Sequence, residues 1–309
     1  MNYPDNEEIR GLMQTINSWI KLNPKKFTIK ELDYDLCLKT REDRYNRSYA
    51  IKYLVEHNII ETGDNRSTYV PIDKTLEPLN VKNANTSEVD LWLPLGIHEL
   101  FRCMEGNIIV IAGETNAGKT ALVLNILKNN RKHMDVNYFN SEMSAAEYKH
   151  RLESFTNTTI DDWKDIKAYY RLENFHHVIK PGRGVLNVID YLEVVDDFFA
   201  VGKMISKIHA KLNGAICVIA IQKKTGSEFG VGGEMTTHKA RLVLNVSPGK
   251  IQIQKLKIPK AYDNGKEIDT NKRSSPIPTL YFKLINGSKI VMIDWKEHEK
   301  IYGREKKYA

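Results

Sequence analysis

The chain has 309 residues, with 46 Lys+Arg against 39 Asp+Glu and a formal net charge of +7. With 41% hydrophobic and 28% charged residues it has globular composition, which excludes a disordered or fibrous chain, and its length predicts about two domains. No apolar run approaches the roughly 18 residues of a membrane span, the acidic N-terminus lacks the apolar core of a secretory signal, and three scattered cysteines, Cys37, Cys103 and Cys217, exclude a disulfide framework and fit a reducing cytoplasm, the expected location.

The first segment reads as three helices and a hairpin. Ile9, Leu12, Met13, Ile16 and Ile20 recur at helical spacing and give one apolar face. After a break at Asn23-Pro24, Thr28-Ile-Lys-Glu31 is a capping-box pattern opening a short second helix with Leu32 and Leu36 inward. A third helix is expected over Arg41 to His57, with Tyr49, Ala50, Tyr53 and Leu54 inward. From Asn58 to Val70 two strand-like runs flank a Gly-Asp-Asn turn. This order is that of a winged helix-turn-helix domain, whose third helix can enter a major groove. Spacing by three places Arg41, Arg44 and Arg47 along one face of that helix, with Arg66 at the wing tip, as candidate DNA contacts. The competing reading is a protein-docking domain with solvated arginines, since residues 1–80 carry 12 Lys+Arg and 13 Asp+Glu. The expected division is therefore a winged-helix domain over 1–74, a linker over 75–90 and an α/β domain over 91–309 with a central, mostly parallel sheet.

The second domain opens its chemistry with Asn107-Ile-Ile-Val-Ile-Ala112, a short apolar run expected as a buried parallel strand. It leads into Gly113, Glu114, Thr115, Asn116, Ala117, Gly118, Lys119 and Thr120, then the helical run from Ala121. Strand, GxxxxGK[ST] loop and helix together define a phosphate-binding loop. Its glycines let backbone amides face a phosphate at a helix N-terminus, Lys119 reaches the β- and γ-phosphates, and the Thr120 hydroxyl is a ligand for Mg²⁺. ATP and Mg²⁺ are the expected ligands.

Further strands end in polar residues. Val136-Asn-Tyr-Phe139 is followed by Glu142, a carboxylate placed to polarise an attacking water. Val185-Leu-Asn-Val-Ile ends in Asp190, a carboxylate for the metal side; Asp196 and Asp197 compete but lie beyond the strand. Ala215–Ile221 ends at Gln222, an amide able to sense the γ-phosphate. A glycine-rich stretch follows, where Lys223, Lys224 and Lys239 are candidates to track a nucleic-acid backbone and Phe229 to stack on a base. The C-terminal 249–309 carries 14 Lys+Arg against 7 Asp+Glu, so the basic excess lies there.

Taken in order, Gly113–Thr120, Tyr138-Phe-Asn-Ser-Glu-Met-Ser144 with Arg151-Leu152 after it, Val188-Ile-Asp-Tyr-Leu-Glu193 and Val218-Ile-Ala-Ile-Gln222 resemble the RecA-like P-loop NTPase core of DnaB-type replicative helicases, over about residues 90–290. Leu95-Gly-Ile-His-Glu-Leu100 resembles that family's entry segment. The resemblance implies Glu142 as catalytic base, Asp190 as the metal-side carboxylate and Gln222 as the link from nucleotide to DNA-binding loop. It also implies a ring in which a Lys-x-Arg reaches the neighbouring subunit's nucleotide. Here the corresponding strand reads Ile251-Gln-Ile-Gln-Lys255-Leu-Lys257, closer to the paired lysines of RecA recombinases. Three readings stand: a DNA-dependent helicase or translocase working as a homo-oligomer, a RecA- or RadA-like filament ATPase, and an ATP-switched DNA-binding regulator or helicase loader.

Overall fold

The computed structural model describes residues 7–65, 67–76, 78–192, 198–223, 237–260 and 279–303. The chain divides into two compact units, Met1–Ala84 and Asn85–Ala309.

The first unit runs α1 (Glu7–Leu22), β1 (Phe27–Thr28), α2 (Ile29–Asp35), α3 (Arg41–Glu56), β2 (Ile60–Thr62) and β3 (Thr68–Pro71). Ile9, Met13, Ile16 and Ile20 of α1 meet Leu32 of α2 and Ala50, Ile51 and Leu54 of α3 in one core. The capping box at Thr28 forms as the sequence suggests, and Thr40 makes a second at the start of α3. Tyr49, expected inward, is half exposed, and Ile51 takes its place. At 100° per residue Ala50, Ile51 and Leu54 share one face, whereas Tyr49 falls outside it. The hairpin of β2 and β3 gains a third strand: β1 pairs with the free edge of β3, giving the order β1-β3-β2. Phe27 is buried there between the rings of Trp19 and Tyr69.

The second unit contains α4 (Ile97–Leu100), β4 (Ile108–Gly113), α5 (Lys119–Asn130), β5 (Asp135–Asn140), α6 (Ala145–Glu153), β6 (Ile166–Tyr170), β7 (Val185–Asp190), α7 (Phe198–His209), β8 (Ile216–Gln222), β9 (Ala240–Ser247), β10 (Lys250–Leu256), β11 (Thr279–Ile285), β12 (Lys289–Ile293) and α8 (Trp295–Tyr302). One nine-stranded sheet has the order β12-β11-β10-β9-β4-β8-β7-β5-β6. Its six strands from β9 to β6 are parallel, and β10, β11 and β12 extend it antiparallel. The inner parallel strands β4, β7 and β8 are buried on both faces, as their continuous apolar runs require, whereas β6 at the edge is exposed beyond Ile166. Ile109 and Ile111 of β4 pack with α5 on one face, and Ile108 and Val110 pack with α7 on the other. β4 lies between β8 and β9 and carries its loop to the carboxyl edge of the sheet, where open α/β sheets bind ligands. Among the described residues no helix is long and apolar enough to cross a membrane.

Candidate nucleotide site

The loop between β4 and α5 has a shape that its residue types dictate. Lys119 folds back over Gly113, and a Cβ there would lie 2.5 Å from Lys119 Cγ, so only glycine fits. The Lys119 ammonium donates to the carbonyls of Gly113 (3.0 Å) and Glu114 (2.7 Å). Burial holds its pKa below the ordinary value, against the pull of Asp190, Glu142 and Glu114. Gly118, at φ +92°, opens α5 with no side-chain cap. The first amides of α5 are therefore left for an anion. Thr115, Asn116, Gly118, Lys119, Thr120 and Ala121 line a cleft of about 340 Å³. Ala117 is buried, and the Glu114 side chain is engaged by Lys223 and Ser247, so both serve the loop's shape.

Glu142 reaches the cleft from the end of β5. Asn140 pins it there: its side-chain oxygen accepts from the amides of Glu142 (3.2 Å) and Met143 (2.9 Å), a local turn built by an Asn side chain. Ser141 ties this turn to the end of β7, donating to the Tyr191 carbonyl at 2.8 Å and accepting from the Tyr191 amide at 3.0 Å. Glu142 is exposed and free to meet solvent.

Asp190 ends β7 on the face of Leu186 and Val188, because strand side chains alternate, and that face looks onto α5. It is almost wholly buried. Burial foremost, and then the Glu142 charge, push its pKa up to about 6, while the hydroxyls of Tyr138 and Thr120 and the Lys119 charge draw it back. Tyr138 donates to Oδ2 at 3.2 Å, and Oδ1 is buried with no hydrogen-bond partner. Burial and Asp190 push the Tyr138 phenol well above its ordinary value, so it stays a donor. An orphaned carboxylate oxygen beside a threonine hydroxyl is a hard-oxygen donor set that fits Mg²⁺. Among the described residues no group of three or more His, Cys, Asp or Glu could hold a metal alone. An ion here would complete its shell with water and phosphate oxygens.

Gln222, the last residue of β8, donates from Nε2 to Thr115 Oγ1 at 3.0 Å, so the amide already touches the phosphate loop. Lys119, Thr120, Glu142, Asp190 and Gln222 thus converge on one edge of the sheet. Arg151 and Tyr191 line the same cleft, and Leu284 and Gly287 reach it from the antiparallel extension. Sequence reasoning assigned none of these four a place in the site, although Arg151 and Tyr191 stand in the quoted motif blocks.

Other expected site residues lie elsewhere. Lys223 is buried, its ammonium 3.2 Å from Glu114 Oε1 and 3.2 Å from Ser247 Oγ, and so does not face a nucleic acid. Lys239 is exposed at the opposite edge of the sheet, where neighbouring Ala240 pairs with Ile108. Lys224, Phe229, Asp196, Asp197 and Arg66 lie outside the described residues. Lys255 and Lys257 also lie toward the amino edge, away from the cleft: Lys255 pairs with Val243, and the Lys257 amide donates to the Arg241 carbonyl at 2.8 Å. Burial, then the charges of Lys257 and Arg241, hold Lys255 below its ordinary pKa. On α3, Arg41 and Arg44 are exposed, but Arg47 is mostly buried in an ion pair with Asp33. The three arginines therefore do not form one solvent-facing row.

Residues 97–183 match the family described as DnaB-like helicase C terminal domain. No curated protein gives a significant match to the chain. Among solved structures, a KaiC-like protein from the hyperthermophilic archaeon Pyrococcus horikoshii OT3 is similar at a TM-score of 0.48 and 14% identity, over 67% of this chain and 99% of that one. A second solved structure, an isolated ATPase domain, is similar at 0.46 and 15%, over 64% of this chain and 89% of that one. The second unit places a phosphate-binding loop on a strand inside a mostly parallel sheet, the arrangement of a P-loop NTPase fold, and its residues 97–183 resemble the C-terminal domain of DnaB-like helicases.

Proposed function

We propose that the chain is an ATP-hydrolysing motor on DNA, of the DnaB helicase kind, working as a homo-oligomer. The observation that carries this reading is the convergence of Lys119, Thr120, Glu142, Asp190 and Gln222 at the carboxyl edge of one sheet. In this reading the triphosphate seats on the free amides at the start of α5. Lys119 leaves the loop carbonyls for the β- and γ-phosphates. Thr120 and Asp190 hold Mg²⁺, which supplies positive charge against the developing negative charge of the phosphoryl group. Glu142, exposed at the mouth, takes a proton from the attacking water. Gln222 reads the γ-phosphate from its place on Thr115. Lys255 and Lys257, being remote from their own cleft, serve the nucleotide of a neighbouring copy. A winged helix over 1–74, within the first unit and followed by a linker over 75–90, adds a DNA contact through Arg41 and Arg44 of α3.

The test is the steady-state ATPase rate with and without single-stranded DNA at two salt concentrations, with Lys119→Ala as the background. Stimulation that fades as salt rises is expected, because phosphate contacts release counterions. Absence of stimulation would overturn the motor reading and favour the regulator or loader. A lysine at 257 where the helicases carry arginine favours a second reading, a RecA- or RadA-like filament. Negative-stain images with ATP and single-stranded DNA separate filaments from rings.

A further inference from the structure

The phosphate loop is tied to both strands that flank β4, and one residue makes most of the ties. The Glu114 amide donates to the Val246 carbonyl of β9 at 3.2 Å. The Glu114 carboxylate accepts from Ser247 Oγ at 3.0 Å, and the same Oε1 lies 3.2 Å from the Lys223 ammonium. The Lys223 ammonium also reaches Ser247 Oγ at 3.2 Å, which closes a triangle. On the backbone, the Lys223 amide donates to the Gly113 carbonyl at 2.9 Å. The side chains of Lys223 and Glu114 are 3% and 12% exposed, so the pair is desolvated. Neither residue belongs to the apolar cluster that β4 and α5 share.

We propose that Glu114 and Lys223, with Ser247, are positioning residues for the nucleotide: they clamp the phosphate loop to the ends of β8 and β9 and keep it in register with Gln222. This inference rests on the ATP-binding reading above. Glu114 stands close enough to Lys119 for its charge to act on that ammonium, so a bare carboxylate there opposes a triphosphate. Lys223 neutralises it and at the same time fixes the carboxylate in place. When Lys119 swings to a phosphate, the carbonyls of Gly113 and Glu114 lose the donor that braced them. Of the side-chain ties, the clamp then holds the turn together with the contact from Gln222 to Thr115, alongside the backbone bonds from Glu114 to Val246 and from Lys223 to Gly113.

If Glu114 acted as a charge alone, Glu114→Gln would tighten ATP binding. If it acts as a clamp, the same change loosens it. Lys223→Met strands a buried carboxylate beside the phosphates and loosens binding on either count. Reversal of the pair, Glu114→Lys with Lys223→Glu, keeps one cation and one anion, and the Ser247 hydroxyl can serve either order because it both donates and accepts.

The experiment is isothermal titration of the full chain with Mg·ATP at low temperature, with melting curves of each variant alongside. Amide exchange over Gly113–Gly118 is followed without nucleotide. Each single change is expected to raise the dissociation constant about tenfold, the worth of one strong charge-assisted hydrogen bond. It should also speed exchange in the loop. The reversed pair is expected to return affinity to within about threefold of the parent, which a general loss of stability would not do. Glu114→Gln binding ATP as tightly as the parent, or more tightly, overturns the clamp. So does a reversed pair no better than the singles. Should Lys223→Met fail to fold, Ser247→Ala tests the same triangle from its neutral corner, with weaker binding again expected. A parent chain that binds no ATP overturns the nucleotide reading itself, which separates that failure from a failure of the clamp.

Discussion

Asp190→Asn should stabilise the protein while removing its chemistry. The wild-type carboxyl is buried, repelled by Glu142, and has its pKa raised from 3.8 to about 6. A carboxyl whose folded pKa is raised binds its proton more tightly when folded, so its share of stability is complete below the unfolded pKa and is lost as pH rises through about 6. The shift of about two units corresponds to roughly 3 kcal/mol above pH 7. Asparagine keeps the shape and the acceptor for Tyr138 but carries no charge, so it recovers that amount. For a domain of this size the melting temperature at pH 8 should rise by roughly 6–12 °C. The gain should shrink to about half at pH 5 and approach zero near pH 3, because the wild-type group is by then protonated in the unfolded chain as well. The assay is thermal melting in EDTA without nucleotide across that range. Hydrolysis with Mg²⁺ should fall by about a hundredfold or more in the same variant. A variant that melts at or below the wild type at pH 8 would refute the reasoning, because ionised Asp190 would then not be a cost to the folded state.

Three other outcomes are expected. Glu142→Gln should bind Mg·ATP with near wild-type affinity and turn it over about a hundredfold more slowly, since the amide keeps the shape but cannot take a proton; hydrolysis at the wild-type rate would remove Glu142 as the base. Arg47→Gln should cost on the order of 2 kcal/mol, because it takes the cation from the mostly buried Asp33 carboxylate, whose Oδ1 already lacks a hydrogen-bond partner. Hydrogen exchange of α1 and α3 amides in the full chain would report that loss, whereas Arg44→Gln, exposed and unpaired among the described residues, should leave exchange as it is and weaken duplex DNA binding. Thr40→Ala should cost about 1 kcal/mol by removing the N-cap of α3, again read by exchange of its first-turn amides.

What the sequence made legible was local. The strand before Gly113, the loop and the start of α5 constrain one another within a short stretch, so their residue types alone announce a phosphate site. Asp190 was legible for a similar reason: an acid at the end of an apolar run must emerge at the strand's carboxyl end. Features built by distant partners were not. β1 exists because two residues after Pro24 find the free edge of β3, some forty positions on, and nothing near Phe27 announces that pairing. Lys223 looks like the first cation of a surface loop until Glu114 and Ser247 are seen beside it.

The lysine pair is the instructive intermediate case. Strict alternation through Ile251-Gln-Ile-Gln-Lys-Leu-Lys257 would put both lysines on the face of Ile251 and Ile253, which is core. The register against β9 instead shifts between Ile253 and Lys255, leaving Gln254 as the extra residue of a bulge. Leu256 thereby joins the core side, and Lys255 and Lys257 turn to the other. The out-of-phase leucine was the visible signal: an apolar residue where alternation demands a polar one, flanked by two lysines that no core would accept. Read that way, the bulge follows from the cost of burying two unpaired ammonium groups. It also brings the lysines beside Arg241 toward the amino edge, as a cationic surface remote from the cleft of the same chain.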